Sequence, residues 1–270
     1  MKTRLLLMLS LFIGLIAYGQ TIPAGSIDNT FNTVGTGFNS GVTSLATQSD
    51  GKILVGGYFT SYNGTPRYKI ARINADGSLD TSFQFSNEIT GEGVSQVDIS
   101  AIKILSNGKI LIGFQVLTNS STTQSISNVY RLNSNGTLDT SFSSISLKGS
   151  NQSNYCEVTA IETLSNGNII IGGEFSYVNG TSQSNLASFN SNGSLLSSFK
   201  YSNSTIFFST VNTIKIQTDG KVLVGGRIYF DSSTNQRGLV RLNSNASIDS
   251  AFNLNTPQNF VTAIALESDG

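Results

Sequence analysis

Five segments of the chain end on the same phenylalanine motif, and the interval between them constrains the fold more than any other feature. They are Gly25–Phe31 (GSIDNTF), Gly77–Phe83 (GSLDTSF), Gly136–Phe142 (GTLDTSF), Gly193–Phe199 (GSLLSSF) and Ala246–Phe252 (ASIDSAF). The phenylalanines follow one another at 52, 59, 57 and 53 residues. Between them lies a second recurring block: Ser49–Gly57 (SDGKILVGG), Ser106–Phe114 (SNGKILIGF), Ser165–Gly173 (SNGNIIIGG) and Thr218–Gly226 (TDGKVLVGG). A third block precedes the last four phenylalanine motifs, as Ala71–Asn74, Tyr130–Asn133, Ser188–Asn190 and Val240–Asn243. A regular period of this length means a supersecondary unit that cannot bury its own faces and stacks on its neighbours.

Each unit reads as four strands. In the first unit they fall near residues 42–48, 52–59, 68–74 and 78–83, rich in β-branched and aromatic residues and bounded by Gly, Asn and Asp. The run Ile53-Leu54-Val55 does not alternate, so it predicts a strand buried on both faces. The glycine pair that follows predicts a close backbone approach. Asn74-Ala75-Asp76-Gly77 has Asn first and Gly fourth, the signature of a type I turn with a left-handed glycine. Residues 133–136 and 190–193 repeat it, whereas the fourth unit has Ala246 in place of Gly, predicting a strained turn. This turn sets Arg72 opposite Asp80, Arg131 opposite Asp139 and Arg241 opposite Asp249. In the third unit both charges vanish together, to Ser188 and Leu196. These residues are expected to be structural, partly exposed ion pairs worth about 0.2–1 kcal/mol each.

Four antiparallel strands per unit, with two tight turns at one end and long connections at the other, predict an all-β fold: a β-propeller of four-stranded antiparallel blades. A β-solenoid is the alternative, but its shorter coils need no pair of hairpins per repeat. The three blocks together resemble the delta-60 repeat family of bacterial β-propeller proteins, over nearly all of residues 25–270. That resemblance implies a propeller in exported or surface proteins, and it supplies no catalytic residues. Units are expected at about 32–83, 84–142, 143–199 and 200–252, with a partial fifth at 253–270 and a single preceding strand at 25–31. The phase of the repeat predicts an open fragment, with no closure of the N-terminal strand against residues 253–270.

The N-terminus reads as a secretory signal peptide over residues 1–19. Lys2 and Arg4 precede an apolar run from Leu5 to Ala17, and Ala17 and Gly19 stand at −3 and −1. The run is too short to span a bilayer as a helix, and no later stretch is long enough. Its removal leaves two more acidic than basic residues, without a basic cluster, which argues against nucleic acid as a partner. Export makes an extracellular protein or a glycan the expected partner. The full chain is expected to be monomeric.

Little chemistry is legible. The chain has no His, which excludes histidine-based acid–base catalysis and triads. Cys156 is the single cysteine, read as a small packed residue and not a reactive thiol. No metal-binding spacing or phosphate loop is present, so no metal or cofactor is expected. Asp98, Glu157 and Glu174 read as scattered, with no second carboxylate at the same repeat position. What remains is the long-loop face. There Tyr62, Arg67, Tyr177, Tyr229 and Arg237 are candidate binding residues, with Phe207 and Phe208 nearby, because aromatics and arginine on variable loops suit recognition. Three readings stay open: a non-catalytic extracellular binding scaffold, a purely structural surface or adhesin component, and a propeller enzyme acting on glycans. Convergent carboxylates in an axial cleft would favour the third.

Overall fold

A computed structural model describes residues 26, 28–33, 35–85, 96–117, 126–150, 155–199, 206–230, 235–252 and 259–267. The segment read as a signal peptide lies outside them. The first unit holds β1 (Val42–Thr47), β2 (Ile53–Gly57), a two-residue hairpin β3 (Ser61–Tyr62) and β4 (Thr65–Pro66), and β5 (Ile70–Ile73). The second holds β6 (Gln96–Ile104), β7 (Ile110–Leu117), β8 (Ile126–Leu132) and β9 (Ile145–Lys148). The third holds β10 (Glu157–Thr163), β11 (Ile169–Glu174), the short hairpin β12 (Tyr177–Val178) and β13 (Thr181–Ser182), and β14 (Leu186–Phe189). The fourth holds β15 (Ile206–Ile216), β16 (Val222–Phe230) and β17 (Asn235–Leu242). All pairings are antiparallel, in the orders β1-β2-β5, β6-β7-β8-β9, β10-β11-β14 and β15-β16-β17. These are four propeller blades. Among the described residues no helix is long and apolar enough to cross a membrane.

The core lies between blades, which is why the central strands are apolar on both faces. Leu54 of β2 packs with Ile99, Ile110 and Ile112 of the second blade, while its neighbour Val55 packs with Phe59 and Tyr62 on the other side. Leu111 then faces Val158, Ile169 and Ile171, and Ile170 faces Val211, Val222 and Val224. Burying one such side chain contributes about 1.5–3 kcal/mol. The first glycine of each pair makes the stacking possible: a Cβ on Gly56 would stand 2.6 Å from Ile99, and on Gly172 2.4 Å from Val211.

The inner strands are clasped in series at a β-bulge. Thr43 Oγ1 donates to the Ile99 carbonyl (2.6 Å), Ser100 Oγ to that of Val158 (2.6 Å) and Thr159 Oγ1 to that of Val211. Asn212 Nδ2 donates to the Val261 carbonyl at 2.9 Å, so the segment of the fifth unit docks on the fourth blade in the same way. At the other terminus Phe38 bridges Tyr62 and the Asn32 amide donates to the Asp76 carbonyl. Among the described residues, therefore, the N-terminal segment packs on the first blade and not on residues 259–267.

The fourth strand departs from expectation. After the turn it makes a single bridge, Ile73↔Leu79, Leu132↔Leu138, Phe189↔Leu195 or Leu242↔Ile248, and the ladder then stops. The cause is local. In all four units the closing phenylalanine amide donates to the carbonyl three residues back, Phe83 to Asp80, Phe142 to Asp139, Phe199 to Leu196 and Phe252 to Asp249, which turns the chain out of extended geometry. In three of them the Asp side chain supports the turn, Asp80 Oδ1 accepting from the Ser82 amide (2.9 Å), Asp139 Oδ1 from Ser141 and Asp249 Oδ1 from Ala251. Residues 29–31, expected to belong to the strand at 25–31, are likewise turn, with Asp28 Oδ1 accepting from the Thr30 amide. In the second blade the outer strand resumes beyond Phe142 as β9, which pairs with β8 and also with β12 of the next blade.

Candidate functional site

The recurring charges gather at the tight-turn end, and they form a larger unit than a pair. Arg72 Nε meets Asp80 Oδ2 at 2.8 Å, Arg131 Nε meets Asp139 Oδ2 at 2.5 Å and Arg241 Nε meets Asp249 Oδ2 at 2.7 Å. The same oxygens take a lysine from the second block, Lys52 at 2.8 Å, Lys109 at 2.7 Å and Lys221 at 2.9 Å. Each guanidinium also lies over the phenylalanine that closes its unit, 5.0 Å from Phe83, 4.8 Å from Phe142 and 4.4 Å from Phe252. Arg72 and Arg131 then reach the next blade's turn, donating from Nη1 to the carbonyls of Ser134 (2.6 Å) and Ser191 (2.5 Å). The residues after Phe83 and Phe142 bind those turns too, through Gln84 N to Asn135 O and Ser143 N to Asn192 O.

The expected partial exposure is wrong: Asp80 and Asp139 are 6% exposed, and Arg72 and Arg131 8%. Burial by itself would push Asp80 and Asp139 up. The lysine, serine and arginine hydrogen bonds outweigh it and hold both carboxyls well below the usual carboxylate range. These are buried structural clusters. The third blade replaces all three members, with Asn168, Ser188 and Leu196, and the Ser188 hydroxyl is buried without a hydrogen-bond partner.

Of the loop residues expected to form a binding face, Tyr62 and Arg67 turn back onto local partners. Tyr62 is buried, its hydroxyl donating to the Gly77 carbonyl at 2.5 Å and its ring against Phe38, so it belongs to the core. Arg67 folds back on the Pro66 carbonyl (2.8 Å), and its Nε is buried without a partner. Tyr177 is exposed at the start of β12. Tyr229 and Arg237 lie on β16 and β17, and Phe207 and Phe208 on β15, because the fourth blade's connections are drawn into a long three-stranded ladder. Phe208 is buried; the side chains of Phe207 and Arg237 lie outside the described residues.

A different group converges at the long-loop end of the inner strands. Asp98 and Glu157 stand at one repeat position, each immediately before the bulge, in Asp98-Ile-Ser-Ala and Glu157-Val-Thr-Ala. They are not scattered, as aligning those triplets makes plain. Glu174, at the end of β11, is the register partner of Glu157, so two like charges face each other across an antiparallel pair. Tyr58 donates its hydroxyl to Asp98 and Tyr155 its hydroxyl to Glu157, while both tyrosines remain exposed, at 48% and 44%. Lys69, held at φ 63°, donates from Nζ to the Tyr58 carbonyl at 2.8 Å.

The electrostatics here oppose those at the other end. Burial pushes Asp98 above the usual carboxylate range despite the Tyr58 hydroxyl, the Lys69 charge and Thr43. Burial likewise raises Glu157 against its Tyr155 hydrogen bond, and the charges of Asp98 and Glu174 raise it further. The Tyr58 phenol is pushed up to about 12, chiefly by its hydrogen bond to Asp98, so at neutral pH it is a donor. Asp98 is 2% exposed and its Oδ1 has no hydrogen-bond partner.

The repeat blocks decide the family. The family described as "Domain of unknown function (DUF5122) beta-propeller" matches residues 48–83, 105–142, 164–199 and 217–252, more than half of the chain. The chain belongs to the DUF5122 β-propeller family. No curated protein matches it in sequence. Two solved structures are similar. One is a catalytically inactive virginiamycin B lyase from Staphylococcus aureus with quinupristin, 13% identical, covering 77% of this chain and 57% of that one, with a TM-score of 0.42. The other is a gluconolactonase from Xanthomonas campestris, 10% identical, covering 77% and 60%, with a TM-score of 0.45. The chain thus spans less than two thirds of the length of either.

In this DUF5122 chain Cys156 is a core residue. It is fully buried between Tyr155 and Glu157, its carbonyl accepts from Gln115 Nε2 at 2.9 Å, and burial pushes its thiol up to about 12. A thiol so shifted is inert at neutral pH. The chemistry available at the long-loop mouth is that of carboxylates and phenols. It can accept and donate hydrogen bonds, offer aromatic faces and attract positive charge.

Proposed function

We propose that the chain is an exported, non-catalytic binding scaffold that holds its ligand at the long-loop mouth of the propeller, around Tyr58 and Tyr155. The leader-like residues 1–19 and the delta-60 resemblance support export. One observation carries the site: two exposed tyrosines, from the first and third blades, stand with their hydroxyls on the carboxylates that share one repeat position. Large, rigid, amphipathic rings on a stiff scaffold are what recognition uses. The expected partner is an extracellular protein or glycan.

The test is to probe arrays of peptides and of glycans with the purified chain and with the Tyr58→Ala/Tyr155→Ala double variant. Retention of a defined subset by the parent and its loss in the variant is the expected result. Equal retention by both proteins would remove the mouth from the reading. A second reading, a glycan-active enzyme, is favoured by the raised carboxyls of Asp98 and Glu157 at one level of the fold. It predicts new products by mass spectrometry from an array-positive glycan, abolished by Glu157→Gln.

A further inference from the structure

We infer that the first blade carries a second binding site, for a small carboxylic acid with an aromatic body whose carboxylate is received by Arg67. The site is a cavity of about 530 Å³. Arg67 and Tyr68 line it from the loop before β5, Ile70 from β5, and Phe83, Gln84 and Phe85 from the segment that leads to the second blade. Small ligands bind in concavities of roughly 300–1,000 Å³ whose apolar and aromatic walls carry a few polar groups. None of these residues belongs to the mouth around Tyr58 and Tyr155, so the inference goes beyond that reading and does not rest on it.

The third blade shows what this loop does when its side chains serve only the fold. Residues 59–70 and 175–186 are of equal length and follow the same path. Asn63 and Asn179 both stand at φ 47°, Lys69 at 63° and Asn185 at 61°. The Arg67 and Gln183 amides donate to the Thr60 and Ser176 carbonyls, and the Lys69 and Asn185 amides to those of Phe59 and Phe175. In the third blade the side chains then brace that frame. Gln183 Nε2 donates to the Leu186 carbonyl at 2.7 Å, and Asn185 bonds the Phe175 amide and the Phe208 carbonyl. In the first blade Arg67 takes the place of Gln183, and Tyr68 that of Ser184. The same backbone bonds close the loop in both blades, so its shape requires neither the guanidinium nor the ring.

Arg67 is short of acceptors. Of the donors a guanidinium carries, Nη1 gives a hydrogen bond to the adjacent Pro66 carbonyl (2.8 Å), while Nε is buried without a partner. No acidic side chain among the described residues is paired with it. A carboxylate supplies both the missing charge and two oxygens matched to the guanidinium fork. Arg67 is the one charged side chain among the described lining residues, and the ammonium of Lys69, next along the loop, is tied to the Tyr58 carbonyl. A single positive charge matches a monoanion, which favours a carboxylate over a doubly charged phosphate. The walls select the rest of the ligand. Tyr68 and Phe85 are half-buried, with Ile70 and Phe83 buried beside them, and an aromatic body packs favourably on such rings.

Calorimetric titration of the full chain with N-acetylphenylalanine, N-acetylphenylalaninamide and N-acetylglycine tests this. The first is expected to bind at least about tenfold more tightly than the amide, which lacks the charge, or the glycine acid, which lacks the ring. Arg67→Gln, the third blade's residue, is expected to weaken the acid about tenfold or more and to abolish its advantage over the amide. Tyr68→Ser, also the third blade's residue, is expected to weaken acid and amide by the same factor, about threefold or more. Arg227→Gln, the same loss of charge at an exposed position of β16, is expected to change nothing. In the parent, nuclear Overhauser contacts are expected between the acid's ring and that of Tyr68, a readout independent of how the variants fold. No binding of the acid, equal affinities for acid and amide, an equal fall in Arg67→Gln and Arg227→Gln, or contacts that miss Tyr68 each overturn the inference. Binding kept in Arg67→Gln but lost in Tyr58→Ala/Tyr155→Ala overturns it too and assigns the acid to the mouth.

Discussion

The two ends of the blades use carboxylates in opposite ways. At the tight-turn end Asp80 and Asp139 are buried among a lysine, an arginine and a serine, and their partners hold them ionised far into acid. At the long-loop end Asp98 and Glu157 are also withdrawn from water, but their company is phenols and other carboxylates, and both are raised. Burial acts in the same direction at both ends; the sign of the result is set by whether cations accompany it. The first arrangement recurs in three of four blades and reaches across to the next blade's turn, so it belongs to assembly. The second occurs on two adjacent blades, at Asp98 and Glu157, and there ionisation of the raised carboxyls works against folding.

The largest effect expected from this contrast is at the tight-turn end. Asp139→Ala strands Lys109 and Arg131 without their carboxylate and should cost about 3–5 kcal/mol in urea denaturation. Converting the whole cluster to the third blade's set, Lys109→Asn with Arg131→Ser and Asp139→Leu, should cost less than the single change, because no uncompensated charge remains. A triple variant as unstable as Asp139→Ala would show that the cluster is not a unit. Next in size is Ala246→Gly. Ala246 sits at φ 69° where the other three blades have left-handed glycines, and relief of that strain should stabilise by up to about 1 kcal/mol, less glycine's greater freedom in the unfolded chain. No gain would mean that the buried Ala246 methyl offsets the strain by its packing.

The smallest effect is the most diagnostic, because it has the opposite pH dependence. Asp139 has a folded value below its unfolded one of about 3.9, so its stabilisation is present above that value and is lost as pH falls towards the folded one. Asp98 has a folded value above about 3.9, so stability is lost as pH rises from there through the raised value. Urea midpoints measured from pH 3 to pH 8 should show Asp98→Asn gaining on the parent as pH rises, with the two converging in acid. Parallel curves would place Asp98 with the structural carboxylates.

The blade repeat was legible because turn chemistry and patterning are local. Asn-x-Asx-Gly fixes a turn whatever surrounds it, and a run such as Ile53-Leu54-Val55 cannot face water on either side. The Arg–Asp pairs followed from the turn's register. Their lysine did not, since Lys52 reaches Asp80 across 28 residues and a strand that no spacing rule connects. The long-loop group was half legible. Asp98 and Glu157 share a repeat position that the alignment of their bulges exposes, but the tyrosines beside them come from different positions in different blades.

The amino-acid sequence alone determined that this chain is an array of antiparallel β units, where each turns, and which strands are sandwiched, because those properties rest on backbone conformation and on faces that must leave water. Only the tertiary structure decided the rest. It buried Tyr62 against Phe38 of the segment that precedes the first blade, and it sheltered the ion clusters, because stacked blades remove water from surfaces that a single unit leaves exposed. It also brought Tyr58, Asp98, Tyr155, Glu157 and Glu174 to one mouth, because residues from different blades become neighbours only when inner strands are clasped side by side.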